Sequence, residues 1–252
     1  MSKLNSEFTF DTFSVKENNQ SAYEAALAVA KSPGKIHNPL FIYGEGSVGK
    51  THLMQAIAHS ALKNHPELKT LYLVPDEFKQ HFTYAFLNIN GYGFDKFYAK
   101  YSSIDILLFD DFQLIFQEGK AEESFFHIFD MLYKSQKQII ISIDSLLDHE
   151  AVTQSDYKFH SYFKLGLSVT IDNPNDYETR IAIIQNCLKD ITCHLDDSVI
   201  HYIASNITTA NSLNLAVNEL GLFSLLENIS EITLDMAKKV LCDRIPGLDD
   251  KG

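Results

Sequence analysis

The sequence predicts an α/β nucleotide-binding fold, in which a parallel sheet flanked by helices is followed by a smaller, all-helical unit. Three observations predict it. A glycine-rich loop, Gly44-Glu45-Gly46-Ser47-Val48-Gly49-Lys50-Thr51, stands between an apolar run and a helical stretch. A second apolar run, 104–109, ends in the paired acids Asp110-Asp111. After Asn173-Pro174-Asn175 the strand-like runs stop and only helical spacing continues.

The loop is the organising feature. Residues 39–43 are apolar and suit a buried strand, and 51–64 carry Leu53, Ala56, Ile57, Ala61 and Leu62 at helical spacing before Pro66. Strand, glycine loop and helix in that order are the context a phosphate-binding loop requires. Gly44, Gly46 and Gly49 let backbone amides curl around phosphate oxygens without Cβ obstruction, and the helix N-terminus adds partial positive charge. Lys50 would reach the β- and γ-phosphates, and the Thr51 hydroxyl would ligate Mg²⁺. Ser47, Val48 and His52 complete the candidate nucleotide-binding set. The competing reading, a glycine turn with no ligand, does not account for the full pattern in its context.

The other elements follow in order. Residues 7–13 alternate aromatic and polar side chains, and 22–31 form an alanine-rich helix ended by Ser32-Pro33-Gly34. A strand is expected at 70–74, with Asp76 capping a helix that begins near Glu77. Phe94, Phe97, Tyr98 and Tyr101 share one helical side and read as core rather than as a base-stacking platform. The strand at 104–109 delivers Asp110 and Asp111 to the C-terminal edge, where open α/β sheets bind ligands. Asp110 would hold Mg²⁺ through water, and Asp111 would orient or deprotonate a hydrolytic water. A helix at 122–135 leads to a strand at 138–144 that ends in a third acid, Asp144, and the last strand is 167–171. The α/β domain is therefore read as 1–173. Helices at 177–188, 197–205, 212–227 and 234–241 make up a second unit, 174–245, with Asp196 or Asp197 and Thr233 as caps.

Composition bounds the function. The 252 residues are 45% hydrophobic and 21% charged, enough for one large or two modest cores. A net charge of -12 and a pI near 5.2 give a whole-chain field that does not favour nucleic acid. The first residues do not read as a signal peptide, and no apolar run approaches the ~20 residues of a membrane span, so a cytoplasmic protein with no membrane partner is expected. The three cysteines, Cys187, Cys193 and Cys242, lack zinc-like pairing and read as reduced thiols. His52, His59, His194 and His201 read as surface or half-buried helix residues, not metal ligands.

With these residues in view, the chain resembles the AAA+ domain of the bacterial DnaA replication-initiator family. The resemblance is carried by Phe8-Thr9-Phe10-Asp11-Thr12-Phe13, Ser32-Pro33-Gly34-Lys35, Asn38-Pro39-Leu40-Phe41-Ile42-Tyr43-Gly44 and Gly49-Lys50-Thr51-His52-Leu53. Asp110-Asp111-Phe112-Gln113, Phe125-Phe126-His127, Lys137-Gln138-Ile139 and Glu178-Thr179-Arg180-Ile181-Ala182-Ile183 extend it over nearly the whole chain. It implies an AAA+ P-loop NTPase fold, with a five-stranded parallel sheet, a C-terminal helical lid, and ATP or ADP with Mg²⁺. Asp144 matches the acid that ends the family's sensor strand, so Asp111 and Asp144 form the candidate catalytic pair and Thr51 and Asp110 the candidate metal ligands. Residues 94–103 fall in the region of the initiator-specific helices.

The departures shape the functional expectation. The family presents an arginine to a neighbouring subunit's γ-phosphate from a Ser-Arg-Phe triplet; here the triplet is Ser161-Tyr162-Phe163, with Lys158 nearby. An arginine finger contributes ~10³–10⁵ in rate in well-studied phosphoryl-transfer systems. The lid arginine that senses nucleotide falls near Asn211 or Ser212, and two basic positions on the single-strand path fall on Glu118 and Lys120. The family's helicase-interacting N-terminal domain and its helix-turn-helix domain have no counterpart in the sequence, which suits a partner protein or an excised domain. The expectation is a nucleotide-binding protein of replication initiation or its control, meeting the initiator or itself through the AAA+ face. Single-strand binding would be weak, and no sequence-specific duplex binding is expected. Whether the chain is an enzyme stays open at this stage, with a slow ATPase and a helicase-loader-like interaction module as alternatives.

Overall fold

The computed structural model describes residues 4–115, 118–144, 161–162, 164–173, 176–242 and 244–245. Lys158, Phe163, Pro174 and Asn175 lie outside the described residues. By internal packing the chain divides into two units: Met1–Gly44 with Gly49–Ile171, and Glu45–Val48 with Asp172–Gly252. The tip of the glycine-rich loop thus groups with the C-terminal unit.

Five parallel strands form the sheet of the first unit: β1 (Leu40–Gly44), β2 (Thr70–Leu73), β3 (Ile106–Phe109), β4 (Gln138–Asp144) and β5 (Leu167–Thr170), in the order β2-β3-β4-β1-β5. β3 is buried along its full length, as a strand covered on both faces should be. Phe41, Leu71, Leu73, Leu107, Phe109, Ile139 and Ile141 turn to one face. Their strand neighbours Leu40, Ile42, Ile106, Leu108 and Ile140, all 0% exposed, turn to the other. That second face is covered by α1 (Gln20–Lys31) and α2 (Lys50–Asn64), which pack on each other and on the strands.

The first face meets α3 (Pro75–Phe86), α4 (Phe94–Ser102) and α5 (Lys120–Lys134) through an aromatic core. The Phe78 ring lies 5.7–5.8 Å from those of Phe97, Tyr101, Phe109 and Phe125. Three expectations need correction here. Asp76 does not cap α3: Val74 is the N-cap, Pro75 opens the helix with its preset φ, and Asp76 lies in the first turn. Of the aromatics on α4, Phe97 and Tyr101 are fully buried, but Phe94 is 38% exposed, because it lies in the first turn. The third concerns the C-terminal unit, which is not purely helical. Its helices α6 (Tyr177–Cys187), α7 (Asp197–Asn206), α8 (Ala210–Glu227) and α9 (Leu234–Val240) are joined by two two-residue parallel strands, β6 (His194–Leu195) and β7 (Glu231–Ile232). Strands this short leave no periodicity to read.

The C-terminal core is aliphatic, built from Ile184, Val199, Ile203, Leu213, Val217, Leu220, Ile232 and Leu241. Asp176 and Asp196 cap α6 and α7 by accepting from the amides of Thr179 and Ser198. Thr209 caps α8, accepting from Ser212, and Thr233 is the N-cap of α9 without a side-chain bond.

Candidate functional site

Strand β1 ends at Gly44, and α2 begins six residues later at Lys50. Gly49 turns the chain into the helix at φ 106°, a conformation that L side chains rarely adopt. A Cβ there would stand 3.2 Å from the Phe13 ring. The Lys50 ammonium is almost completely buried and donates to the Gly44 carbonyl at 2.6 Å. Its charge is therefore held directly under the loop by the strand that precedes it.

At the loop tip, Gly46 has φ 56°, and a Cβ added to it would stand 2.6 Å from that of Asn211 on α8. The Asn173 side chain donates to the Glu45 carboxylate at 2.7 Å and accepts from the Ala210 amide at 3.2 Å. One carboxamide thus ties the loop tip to the first turn of α8. Ser47, Cys187, Asn211, Asn214, Leu215 and Asn218 line a cavity of about 320 Å³.

The acids gather by strand register. Gly44 pairs with Asp144 and Phe109 with Ile141, so the ends of β1, β3 and β4 lie side by side. Asp110 is 2% exposed and accepts from Thr51 Oγ1 at 2.7 Å, from the Tyr72 hydroxyl at 2.7 Å and, in a short bond, from the Ser142 hydroxyl. A hydroxyl and a carboxylate oxygen in direct contact are the hard donor set that suits Mg²⁺, which keeps several waters and takes few protein ligands. Among the described residues no cluster of three or more His, Cys, Asp or Glu forms a self-sufficient metal site.

Asp111 follows with a left-handed backbone, φ 50°, and its amide donates to Ser142 Oγ at 2.8 Å. Burial first, then the neighbouring Asp110 carboxylate, raises its carboxyl above the usual aspartate value, against the Gln113 hydrogen bond and the Lys50 charge. Gln113 donates to Asp111 Oδ1 at 3.3 Å and accepts from the Asp144 amide at 3.1 Å. It therefore bridges the two candidate catalytic acids. Gln113 closes the Asp-Asp-Phe-Gln motif, but the sequence alone gives it no role. Nothing in the sequence marked Ser142 or Tyr72 beyond their places on adjacent strands.

His52 does not act alone. Its ring stacks on Phe8 (4.8 Å), meets the edge of Phe13 (5.2 Å) and bonds the Thr9 carbonyl at 2.9 Å. Seven residues on, His59 bonds the Asn5 carbonyl at 2.8 Å. The two histidines fasten the N-terminal aromatic segment along α2, and burial lowers the His52 pKa despite the Thr9 carbonyl.

Of the positions where the resemblance expects cations, Tyr162 and Asn211 are neutral, Glu118 is an acid and Lys120 keeps its charge. Tyr162 is 8% exposed, sits against the Phe126 and Phe129 rings and donates to Asp130 at 2.9 Å. Glu118 pairs with Lys79 at 3.3 Å, and the Lys120 ammonium lies 5.5 Å over the Phe86 ring. Asn211 faces the loop tip as described.

Sheet, loop, paired acids and C-terminal helical unit together define a P-loop protein of the AAA+ class. The sequence model of the bacterial DnaA ATPase domain matches residues 4–170, and the chain belongs to that family. The chromosomal replication initiator protein DnaA of Lachnoclostridium phytofermentans is 41% identical over 247 residues, 97% of this chain and 53% of the relative. The crystal structure of domain III from the Thermotoga maritima replication initiation protein DnaA superposes with a TM-score of 0.78 at 33% identity, covering 98% of this chain and 100% of that one. A replication initiator DnaA bound to AMPPCP and single-stranded DNA gives 0.69 at 31% identity, covering 90% and 69%. The chain spans about half the length of the curated relatives it matches.

Proposed function

We propose that this chain binds ATP or ADP with Mg²⁺ on the Gly44–Thr51 loop, and that it acts in replication initiation or its control through AAA+ contacts with the initiator or a second copy. The observation that carries the reading is the convergence of Lys50, Thr51 and Asp110. A buried ammonium lies under a glycine loop, and the first helical hydroxyl bonds a buried carboxylate 2.7 Å away. A glycine turn with no ligand has no use for a lysine 4% exposed at that place. That a relative was solved with AMPPCP supports the choice of an adenine nucleotide. Mg²⁺, when bound, would neutralise phosphate charge from Thr51 and Asp110.

Binding and hydrolysis part company here. Asp111 is suited to orient a water, since Gln113 fixes one carboxylate oxygen and burial strengthens its basicity. No cation is available from Tyr162, whose hydroxyl is engaged by Asp130, and Asn211 is neutral. Developing charge in the transition state is under-stabilised. The isolated chain should therefore release phosphate at a negligible rate at any concentration. Tyr162→Arg should restore little, because the new side chain would enter the Phe126–Phe129 pocket beside Asp130 rather than project outwards. A full-length initiator that presents its own arginine should raise the rate. Steady-state phosphate release over a wide protein range, with and without initiator, is the test. Robust turnover by the chain alone, lost in Asp111→Asn, would sink the reading. Single-strand binding is proposed to be weak, because the acid Glu118 stands at one of the two expected basic positions and engages Lys79, and Lys120 lies against Phe86. A cytoplasmic location is part of the same proposal; no described helix is long and apolar enough to cross a membrane.

A further inference from the structure

Strands β1, β4 and β5 begin at Leu40, Gln138 and Leu167, and a cavity of about 590 Å³ lies beside these starts. The length of β1, about 13 Å, separates this edge of the sheet from the glycine loop. Three connections wall the cavity: from α1 to β1, from α5 to β4, and the turn that leads into β5. Two carboxamides fix them. The fully buried Gln138 accepts from the Gly34 amide at 2.8 Å and donates to the His37 carbonyl at 3.2 Å. Asn38 accepts from the Ile139 amide at 2.9 Å and donates to the Lys137 carbonyl at 2.8 Å. At Gly34 and Gly166 a Cβ would stand 2.3 Å from the Gln136 carbonyl oxygen and 1.9 Å from that of Pro39, so the connections pass as closely as backbone allows. The cavity is preformed, as small-molecule sites usually are.

Its chemistry is one-sided. Lys35, His37 and Lys134 line it, and among the described residues no aspartate or glutamate does. The chain as a whole has 33 acids against 21 lysines and arginines, so the cavity inverts the general sign. Neither lysine has an ion-pair partner among the described residues, whereas the neighbouring Lys137 is engaged by Asp105. Lys134 lies in the last turn of α5, where a cation suits the helix dipole. The carbonyls of that turn are nonetheless already taken: Gln136, at φ 55°, donates to Tyr133 and Lys137 to Leu132, each at 3.0 Å. That leaves the cavity with spare ammonium donors and no carboxylate. Tyr133, whose ring stacks on Phe129 at 6.3 Å, and Leu165 add an apolar wall. Two lysines balance a dianion, and lysine meets phosphate as a point charge. A bare phosphate would leave most of the volume to water. We propose that this cavity binds a small phosphate ester with a flat apolar body, its phosphate on Lys35 and Lys134 and its body along Tyr133 and Leu165. The proposal does not depend on the nucleotide-binding reading of the loop.

Phenyl phosphate is the probe, and the amide chemical shifts of the isotope-labelled chain at low ionic strength are the readout. Residue-resolved shifts separate this cavity from the glycine loop, where phosphate would also collect. Saturating shifts are expected in residues 34–38, 133–137 and 165–167, with a dissociation constant of about 1 mM or below. Lys35→Ala and Lys134→Ala, both at exposed positions, should each weaken binding about three- to tenfold. Lys63→Ala removes a last-turn lysine of α2 outside the cavity and should leave it unchanged. Added salt should weaken binding by screening the lysines. Inorganic phosphate should bind at least about threefold more weakly than phenyl phosphate. Equal binding of the two would take the apolar wall out of the site and contradict the proposal. Shifts confined to residues 44–51, or no saturation below about 10 mM, would overturn it. So would a loss in Lys63→Ala as large as in Lys35→Ala, which would mark the attraction as general to surface lysines.

Discussion

Asp111 holds two unfavourable conditions at once: a left-handed backbone at φ 50°, and a carboxyl raised above its ordinary value of 3.8 by burial and by Asp110. Asparagine occupies the left-handed region readily and carries no charge. A carboxyl whose folded pKa is raised favours the folded state below its unfolded pKa and loses that contribution as pH rises through the raised value. At neutral pH the contribution is gone, so Asp111→Asn should melt higher than the wild type. The difference should shrink as pH is brought down to about 4. Thermal melts at the two pH values check this, and a variant that melts lower at neutral pH would refute it. His81 titrates in the opposite sense. Burial and the Lys100 ammonium, 3.0–3.1 Å from both ring nitrogens, push it down to about 4, while Glu77 pulls it up and the Tyr101 hydroxyl bonds it. Its contribution is complete above the unfolded pKa of 6.5 and is lost as pH falls towards 4. His81→Gln should therefore lose less stability than the wild type between pH 6.5 and 4, measured by denaturant titration across that window.

At the scale of elements, α3 buries Phe78 and Ala85 in the aromatic core, and Phe78 makes the largest contact. Phe78 is fully buried and touches four aromatic rings drawn from α4, β3 and α5. Phe78→Ala should cost about 3–5 kcal/mol, since a rigid aromatic shell collapses poorly into the space left behind. Urea unfolding measures it; a loss below about 1 kcal/mol would mean that the shell repacks. Elements of this kind were legible in the sequence because their signals are local. Apolar runs marked the five strands of the large sheet, glycines marked the loop, and Asp110-Asp111 marked the end of β3. One local signal was passed over: Val74 and Pro75, not Asp76, start α3. Most of what else escaped was set by tertiary contact. Residues too few to show a period form β6 and β7. Gln113 joins Asp111 to the Asp144 amide only because register places β3 beside β4. The sequence shows Tyr162 only as a tyrosine in an arginine's place, and not that it packs against the Phe126 and Phe129 rings. The bonds from His52 and His59 to the carbonyls of Thr9 and Asn5 likewise have no sequence signature.

For the molecule as a whole, family membership brings the fold, while the site's chemistry turns on which residues this chain has kept. Lys50, Thr51, Asp110, Asp111 and Asp144 stand at one edge of the sheet, and Tyr162 and Asn211 are proposed to stand where hydrolysis would need cations. The loop is proposed to bind nucleotide through Lys50. Titrating the purified chain with Mg-ATP in a calorimeter, beside Lys50→Ala, tests it most directly. Saturable heat is expected for the wild type and none for the variant. ATP at 100 times its dissociation constant should stabilise only the wild type, by about 2.7 kcal/mol. Equal affinity in the two proteins would contradict it.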